Sequence, residues 1–430
     1  MDTTQATPIT LDERAILQPW RQSDSVWMLG LYGTAIGAGV LFLPINAGMG
    51  GLLPLLIMAV IAFPMTFYAH RALCRLVLSG NPDCKNITDV VELHFGPRAG
   101  SIITLLYFFA IYPILLVYGV ALTNTVDSFI TYQLHQTAPP RAVLALILIL
   151  GLLGIIRLGK DLIVRVMSIL VFPFAATLIF LALFLIPHWS TDIFQQPVTR
   201  EVTGNSGWLN TLWLVIPVLV FSFNHSPIIS AFAMSKREEY GHNAEKKCSR
   251  ILLFSNILMV LTVMFFVFSC VLSLSAANLA DAKAQNITIL SFLANHFSSP
   301  LIGFIAPTIA FVAITKSFLG HYLGAREGFA GLLVQSLRKR GRTINATALN
   351  RLTGIFMLVS TWLVATLNPS ILGIIEILGG PVVAILLFLL PIYAINNVPA
   401  MARYRGAASN VFVWVIGWMA LAAIIYKMLG

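Results

Sequence analysis

Charge is what this 430-residue chain has least of: 27 Lys and Arg with 17 Asp and Glu make up only 10% of it. Soluble domains carry about 25% charged residues, so a water-facing exterior around this composition is excluded. Cysteine is as scarce, with only Cys74, Cys84, Cys248 and Cys270, at spacings that suit no metal. Three of the four adjoin basic segments expected in the cytoplasm, so a disulfide framework is excluded as well. The 30 glycines show no triplet period, which rules out collagen, and 58% apolar and aromatic residues rule out disorder. No HExxH, no GxSxG and no close pair of intramembrane carboxylates occurs, which leaves a membrane enzyme without a catalytic group set. What the chain has in abundance is apolar sequence, with a mean hydropathy of +0.86. It reads as an all-α polytopic membrane protein.

A helix needs about 20 apolar residues to cross the hydrocarbon core. Eleven stretches meet that test, near 25–47, 52–78, 99–131, 140–158, 161–187, 208–234, 250–275, 300–329, 350–367, 371–395 and 409–429. The polar segment 1–24 forms a cytoplasmic tail, and the apolar stretch after it is too long and too Gly-broken for a signal-peptide core. With the N-terminus in the cytoplasm the loops alternate, and 22 of the 27 cations fall inside against 4 outside. That asymmetry fixes the orientation and puts the C-terminus in the periplasm. The run Arg338-Lys339-Arg340-Gly341-Arg342 then reads as an orientation determinant or a contact with lipid headgroups, not a nucleic-acid site. The net charge of +10 implies no nucleic-acid partner, and no obligate protein partner is expected. One cation, Lys316, fits neither side.

Residues 30–51 hold seven glycines, around Gly33-Thr-Ala-Ile-Gly37-Ala38-Gly39. Glycines at mid-membrane depth make an unwound segment cheap, and its freed amides then need a partner that lipid cannot supply. Close helix packing is the alternative use of such small residues. A second break five spans later discriminates, because transporters built from inverted repeats carry discontinuous helices in corresponding pairs. The sixth span supplies it, with Phe221-Ser222-Phe223-Asn224-His225-Ser226-Pro227 in the middle of an apolar segment.

Four stretches carry a resemblance: WMLGLYGTAIGAGVLFLPINAG at 27–48, VFSFNHSPIISAF at 220–232, AITKSFLGHYLGAREG at 313–328 and ATLNPSILGIIEILGGP at 365–381. They resemble bacterial serine and threonine permeases of the hydroxy and aromatic amino acid permease family, in the amino acid, polyamine and organocation superfamily. The similarity runs from about Trp20 to the C-terminus. It implies eleven helices in the five-plus-five inverted-repeat (LeuT-like) fold, with spans 1–5 at 25–187, spans 6–10 at 208–395 and an extra C-terminal helix at 409–430. It also implies proton-driven uptake of L-serine across the inner membrane, with the proton as coupling ion and no other cofactor.

Serine is a zwitterion with a hydroxyl, so its site needs amides, carbonyls and one side-chain polar group. The amides of Gly37, Ala38 and Gly39 are expected at the carboxylate and carbonyls of Phe221 to Asn224 at the ammonium. Asn224, His225 or Ser226 would meet the hydroxyl, while Phe221 and Phe223 form lids. The third span of the fold brings a tyrosine near the carboxylate, either Tyr118 or Tyr112; ordinary packing is the other use of each. His225 could instead ligate a proton or bond broken-helix carbonyls, and His321 more readily makes a structural contact than a proton relay.

Lys316 lies ten residues, roughly 15 Å of helix, from Arg326 and so near the midplane. An ammonium there needs water, an anion or carbonyls, and a desolvated lysine can exchange its proton. Thr315 and Ser317 would suit a sodium site; with Lys316 in that place the coupling ion becomes a proton. A fixed structural cation is the alternative. Glu376 in the tenth span is expected as a second proton carrier or an outer gate, or as an interfacial carboxylate held by the Asn368-Pro369-Ser370 turn.

Overall fold

The computed structural model describes residues 19–49, 51–157, 160–191, 216–297, 299–375 and 380–429, and among these no strand occurs. The helices, numbered in chain order, are α1 (Gln22–Ala35), α2 (Ala38–Met49), α3 (Leu52–Leu78), α4 (Ile87–Ser128), α5 (Arg141–Arg157) and α6 (Lys160–Leu185). A short helix at 216–222, α7, precedes α8 (Ser226–Tyr240), α9 (Ala244–Ser273), α10 (Ala276–Ala284) and α11 (Ile289–His296). Then follow α12 (Pro300–Lys339), α13 (Ala346–Leu367), α14 (Ile371–Ile374), α15 (Gly380–Val383), a π turn at Ala384–Leu389, α16 (Leu390–Asn397) and α17 (Ala408–Leu429).

Six helical runs among the described residues are individually long and apolar enough to cross a membrane, and the bent pair α1–α2 makes a seventh. Three further apolar helices, Arg141–Ile156, Ala384–Asn397 and Ala408–Ala423, are shorter. Large apolar side chains stand outward on many of them, including Val60 (75% exposed), Leu261 (66%) and Leu367 (70%). Such a surface is stable only against lipid.

Both expected breaks are present. The first helix stops at Ala35; Ile36 is extended (φ −82°, ψ 94°), and the two halves meet at 51°. The sixth is helical over 216–222, turns at Phe223 and restarts at Ser226, with Asn224 and His225 between. Pro227 sits in the first turn of α8, where a missing N–H breaks no hydrogen bond. The Ser226 amide donates to Asn224 Oδ1 (3.0 Å), so a side chain stands in for the absent backbone acceptor.

Two features differ from the sequence expectation. The loop after the seventh span contains the helices α10 and α11, of which α11 buries Ile289, Leu290, Phe292 and Leu293. Asp24, expected in a polar tail, lies in the first turn of α1 and is fully buried. At the opposite end three asparagines form a seam. Asn124 Nδ2 donates to the Asn286 carbonyl (2.7 Å) and to Asn368 Oδ1 (3.1 Å), and Asn286 Nδ2 reaches Asn368 Oδ1 (3.0 Å). Asn286 and Asn368 both adopt positive φ, a conformation asparagine tolerates better than most residues.

Candidate functional site

The two breaks are stitched together by hydroxyls. Ser222 Oγ donates to the Gly39 carbonyl (2.9 Å) and Ser317 Oγ to the Ile36 carbonyl (3.1 Å), so helices 6 and 8 of the span order satisfy carbonyls that the first break exposes. Ala38 and Gly39 open α2, and amides in a helix's first turn have no acceptor inside it. They are the groups that can receive an anion. Glycine is required here by space. A Cβ on Gly37 would stand 2.5 Å from both Ser317 Oγ and the Tyr118 hydroxyl, and one on Gly39 would stand 2.7 Å from the Phe221 ring and 2.9 Å from Ser222 Cα. The Tyr118 hydroxyl and Ser317 Oγ both stand over Gly37. The structure thus brings Gly37, Gly39, Tyr118, Phe221 and Ser317 to one place, and Gly37→Ala is expected to lower by about tenfold the serine uptake that the sequence resemblance implies, at unchanged expression, because backbone and hydroxyl must separate around the new methyl. Uptake by cells with matched amounts of wild-type and variant protein checks it.

Tyr112 is not part of this cluster. It stacks on Phe108 (4.8 Å between centroids) and Phe356 (5.4 Å), which is the packing role. Phe223 and His225 are buried at the sixth break, with His225 Nδ1 donating to the Phe223 carbonyl (3.1 Å). His70 on α3 stacks on the His225 ring (3.5 Å between centroids). His321 donates from Nδ1 to the Ser317 carbonyl (2.9 Å) and meets Tyr118 edge-on, a structural contact. Glu376 lies outside the described residues.

Lys316 is 1% exposed, and among the described residues its Nζ has no hydrogen-bond partner. It stands 5.3 Å from the Phe174 ring centroid and against Gly33, whose Cβ would be 3.0 Å from Nζ. The neighbouring Thr315 Oγ1 is also buried without a partner among the described residues. Lys316 therefore faces α1 just before its break, one residue from the Ser317 contact with Ile36.

Besides His70, two groups were not singled out in the sequence. Tyr107 donates its hydroxyl to the Pro227 carbonyl (3.3 Å) and lines both a cavity of about 260 Å³ that reaches Lys85 and Glu327 and a smaller space beside Ser226. Asp24 is the second. Lys236 Nζ (2.9 Å), Lys247 Nζ (2.8 Å), the Tyr240 hydroxyl (3.0 Å) and the Arg21 amide (2.9 Å) all converge on its carboxylate. Lys236 is as buried as Asp24 and also holds Glu239 (2.6 Å), which in turn accepts from Ser23 and Arg21. This network ties the start of α1 to α8 and α9.

A family model described as the tryptophan/tyrosine permease family matches residues 25–428. The chain belongs to that family. It is a multi-pass membrane transporter and not an enzyme. It is 64% identical to the serine transporter SdaC of Escherichia coli (strain K12) over 100% of both chains. To the threonine/serine transporter TdcC of Escherichia fergusonii it is 51% identical, over 95% of this chain and 96% of that one. Among solved structures, a mutant of the Eremococcus coleocola manganese transporter superposes with a TM-score of 0.66 at 12% identity, covering 96% of this chain and 88% of that one. That likeness concerns the fold alone, and among the described residues no three His, Cys, Asp or Glu side chains gather as a metal site.

Proposed function

We propose that the chain is a proton-coupled importer of L-serine, accepting L-threonine as well, which works by alternating access in a bacterial inner membrane. The observation that carries this reading is the 64% identity to a serine transporter along the whole of both chains. The orientation, with eleven spans, the N-terminus in the cytoplasm and the C-terminus outside, is supported by the 22-to-4 division of cations. Amides of Gly37, Ala38 and Gly39 bind the carboxylate, with Tyr118 beside it. Carbonyls from Phe221 to Asn224 bind the ammonium, and His225 or Ser226 takes the hydroxyl. Asn224 is the weaker choice for the hydroxyl, because its Oδ1 is already engaged by the Ser226 amide. Phe221 and Phe223 cover the solute.

Lys316 carries the coupling proton, with Glu376 as the second carrier. When Lys316 is charged, its ammonium repels a sodium ion at Thr315 and Ser317; when neutral, it leaves α1 free to move against α12. The family model is named for aromatic amino acids, so aromatic solutes belong in the same experiment.

Purified protein in proteoliposomes, with proton and sodium gradients imposed separately, tests the reading. A proton gradient is expected to drive labelled L-serine above equilibrium and a sodium gradient is not. L-alanine should compete at least about tenfold more weakly, since it leaves a buried hydroxyl acceptor unpaired. Accumulation driven by sodium alone would replace the proton, and strong competition by tryptophan or tyrosine would replace serine.

A further inference from the structure

His70 and His225 stand on different helices, and their rings stack 3.5 Å apart with planes within 7°. Three of the four ring nitrogens have partners that fix their protons. The Thr66 carbonyl, 2.7 Å from His70 Nδ1, can only accept, so Nδ1 carries a hydrogen. The His225 backbone N–H, 3.1 Å from His70 Nε2, can only donate, so Nε2 is bare. His70 is therefore neutral and held in one tautomer. On His225 the Phe223 carbonyl, 3.1 Å from Nδ1, fixes the hydrogen there. A charged His225 would be a fully buried cation with no carboxylate paired to it among the described residues, so His225 is neutral too. Its Nε2 is then a bare acceptor, and this atom is fully buried without a partner among the described residues.

One residue on α3 thus touches both the backbone and the ring of His225. We propose that His70 is a positioning residue for the solute site: it accepts the His225 amide, stacks on the His225 ring, and so leaves His225 Nε2 as the acceptor for the hydroxyl hydrogen of a hydroxy amino acid. The inference rests on the reading of the chain as a serine carrier. A buried acceptor left unpaired is unfavourable, and a hydroxyl donor relieves it where a methyl group cannot.

Two conservative variants separate the roles. Glutamine places an oxygen near the position of Nε2, so His70→Gln keeps an acceptor for the His225 amide; asparagine reaches only the position of Nδ1, so His70→Asn loses it. In proteoliposomes, the preference for L-serine over L-alanine is expected to fall about tenfold in His70→Asn, through the KM for serine with the maximal rate largely kept, and to stay within about twofold of wild type in His70→Gln. A fall in uptake of both solutes with an unchanged ratio would mean a merely structural role and overturns the proposal.

Nitrogen NMR of histidine-labelled protein, with the His225 signal identified by its loss in His225→Gln, reads the tautomer without any transport. Wild type is expected to show a bare Nε2 and a protonated Nδ1, and His70→Asn a mixture of both tautomers. A protonated Nε2 in wild type overturns the proposal. Failure of wild type to take up serine would instead remove the serine reading, with the positioning role of His70 then decided by the tautomer.

Discussion

Asp24→Asn is expected to destabilise the protein by about 3–5 kcal/mol, the usual effect of removing one partner from a buried ion pair. The carboxylate is fully buried, and it is the charge that both Lys236 and Lys247 face. Without it, two buried ammoniums sit against each other, with only Glu239 left to balance Lys236. Thermal unfolding of the purified protein in detergent checks this. A double variant, Asp24→Asn with Lys236→Met, removes one buried charge of each sign and is expected to recover part of the loss. An unchanged melting temperature in the single variant would mean that water reaches the cluster. The expected damage extends to transport, since Asp24 links the first turn of α1 to α8, the helices that lead into the two breaks.

The second large effect concerns Lys316. At a membrane potential of about 100 mV one coupled positive charge is worth about 2.3 kcal/mol, which supports roughly fiftyfold accumulation of a neutral solute. Lys316→Ala and Lys316→Gln are both expected to lose that accumulation and bring the internal serine concentration down to the external one. Exchange of labelled for unlabelled serine across the membrane should persist, because the proposed solute contacts at Gly37, Gly39 and the sixth break do not include Lys316. Proton-driven accumulation retained in both variants would take Lys316 out of the coupling role. A loss of exchange as well as accumulation would make it the structural cation that holds α1 in place.

Much of this site could be read in the sequence, for a local reason. Gly37, Gly39 and the Asn224-His225-Ser226-Pro227 run break helices through their own backbone preferences, so their effect shows in a short window. Lys316 was conspicuous because charge at mid-helix is rare in membrane proteins. The tyrosine was ambiguous because Tyr112 and Tyr118 lie on one helix, and only the approach of Ser317 from α12 distinguishes them. Asp24 was read as part of a solvated tail and Lys236 and Lys247 as loop charges. Their pairing spans 212 residues between Asp24 and Lys236, a distance at which no sequence pattern records a contact. His70 escaped for a similar reason: a single histidine in α3 gives no sign of the ring it stacks on, 155 residues away. The helices α10 and α11 were missed because they are shorter than a span and bury their apolar faces against protein.

The two ends of the bundle are fastened by different chemistry. The end near Asp24 is held by ions, whereas Asn124, Asn286 and Asn368 meet through amides that neither gain nor lose a proton in the range a cell encounters. In the proposed orientation those amides face the outside, whose acidity follows the surroundings. The outer fastening then keeps the same strength in acid and neutral media, so under the proposed proton coupling a drop in external pH would raise the driving force for uptake without loosening that end of the bundle.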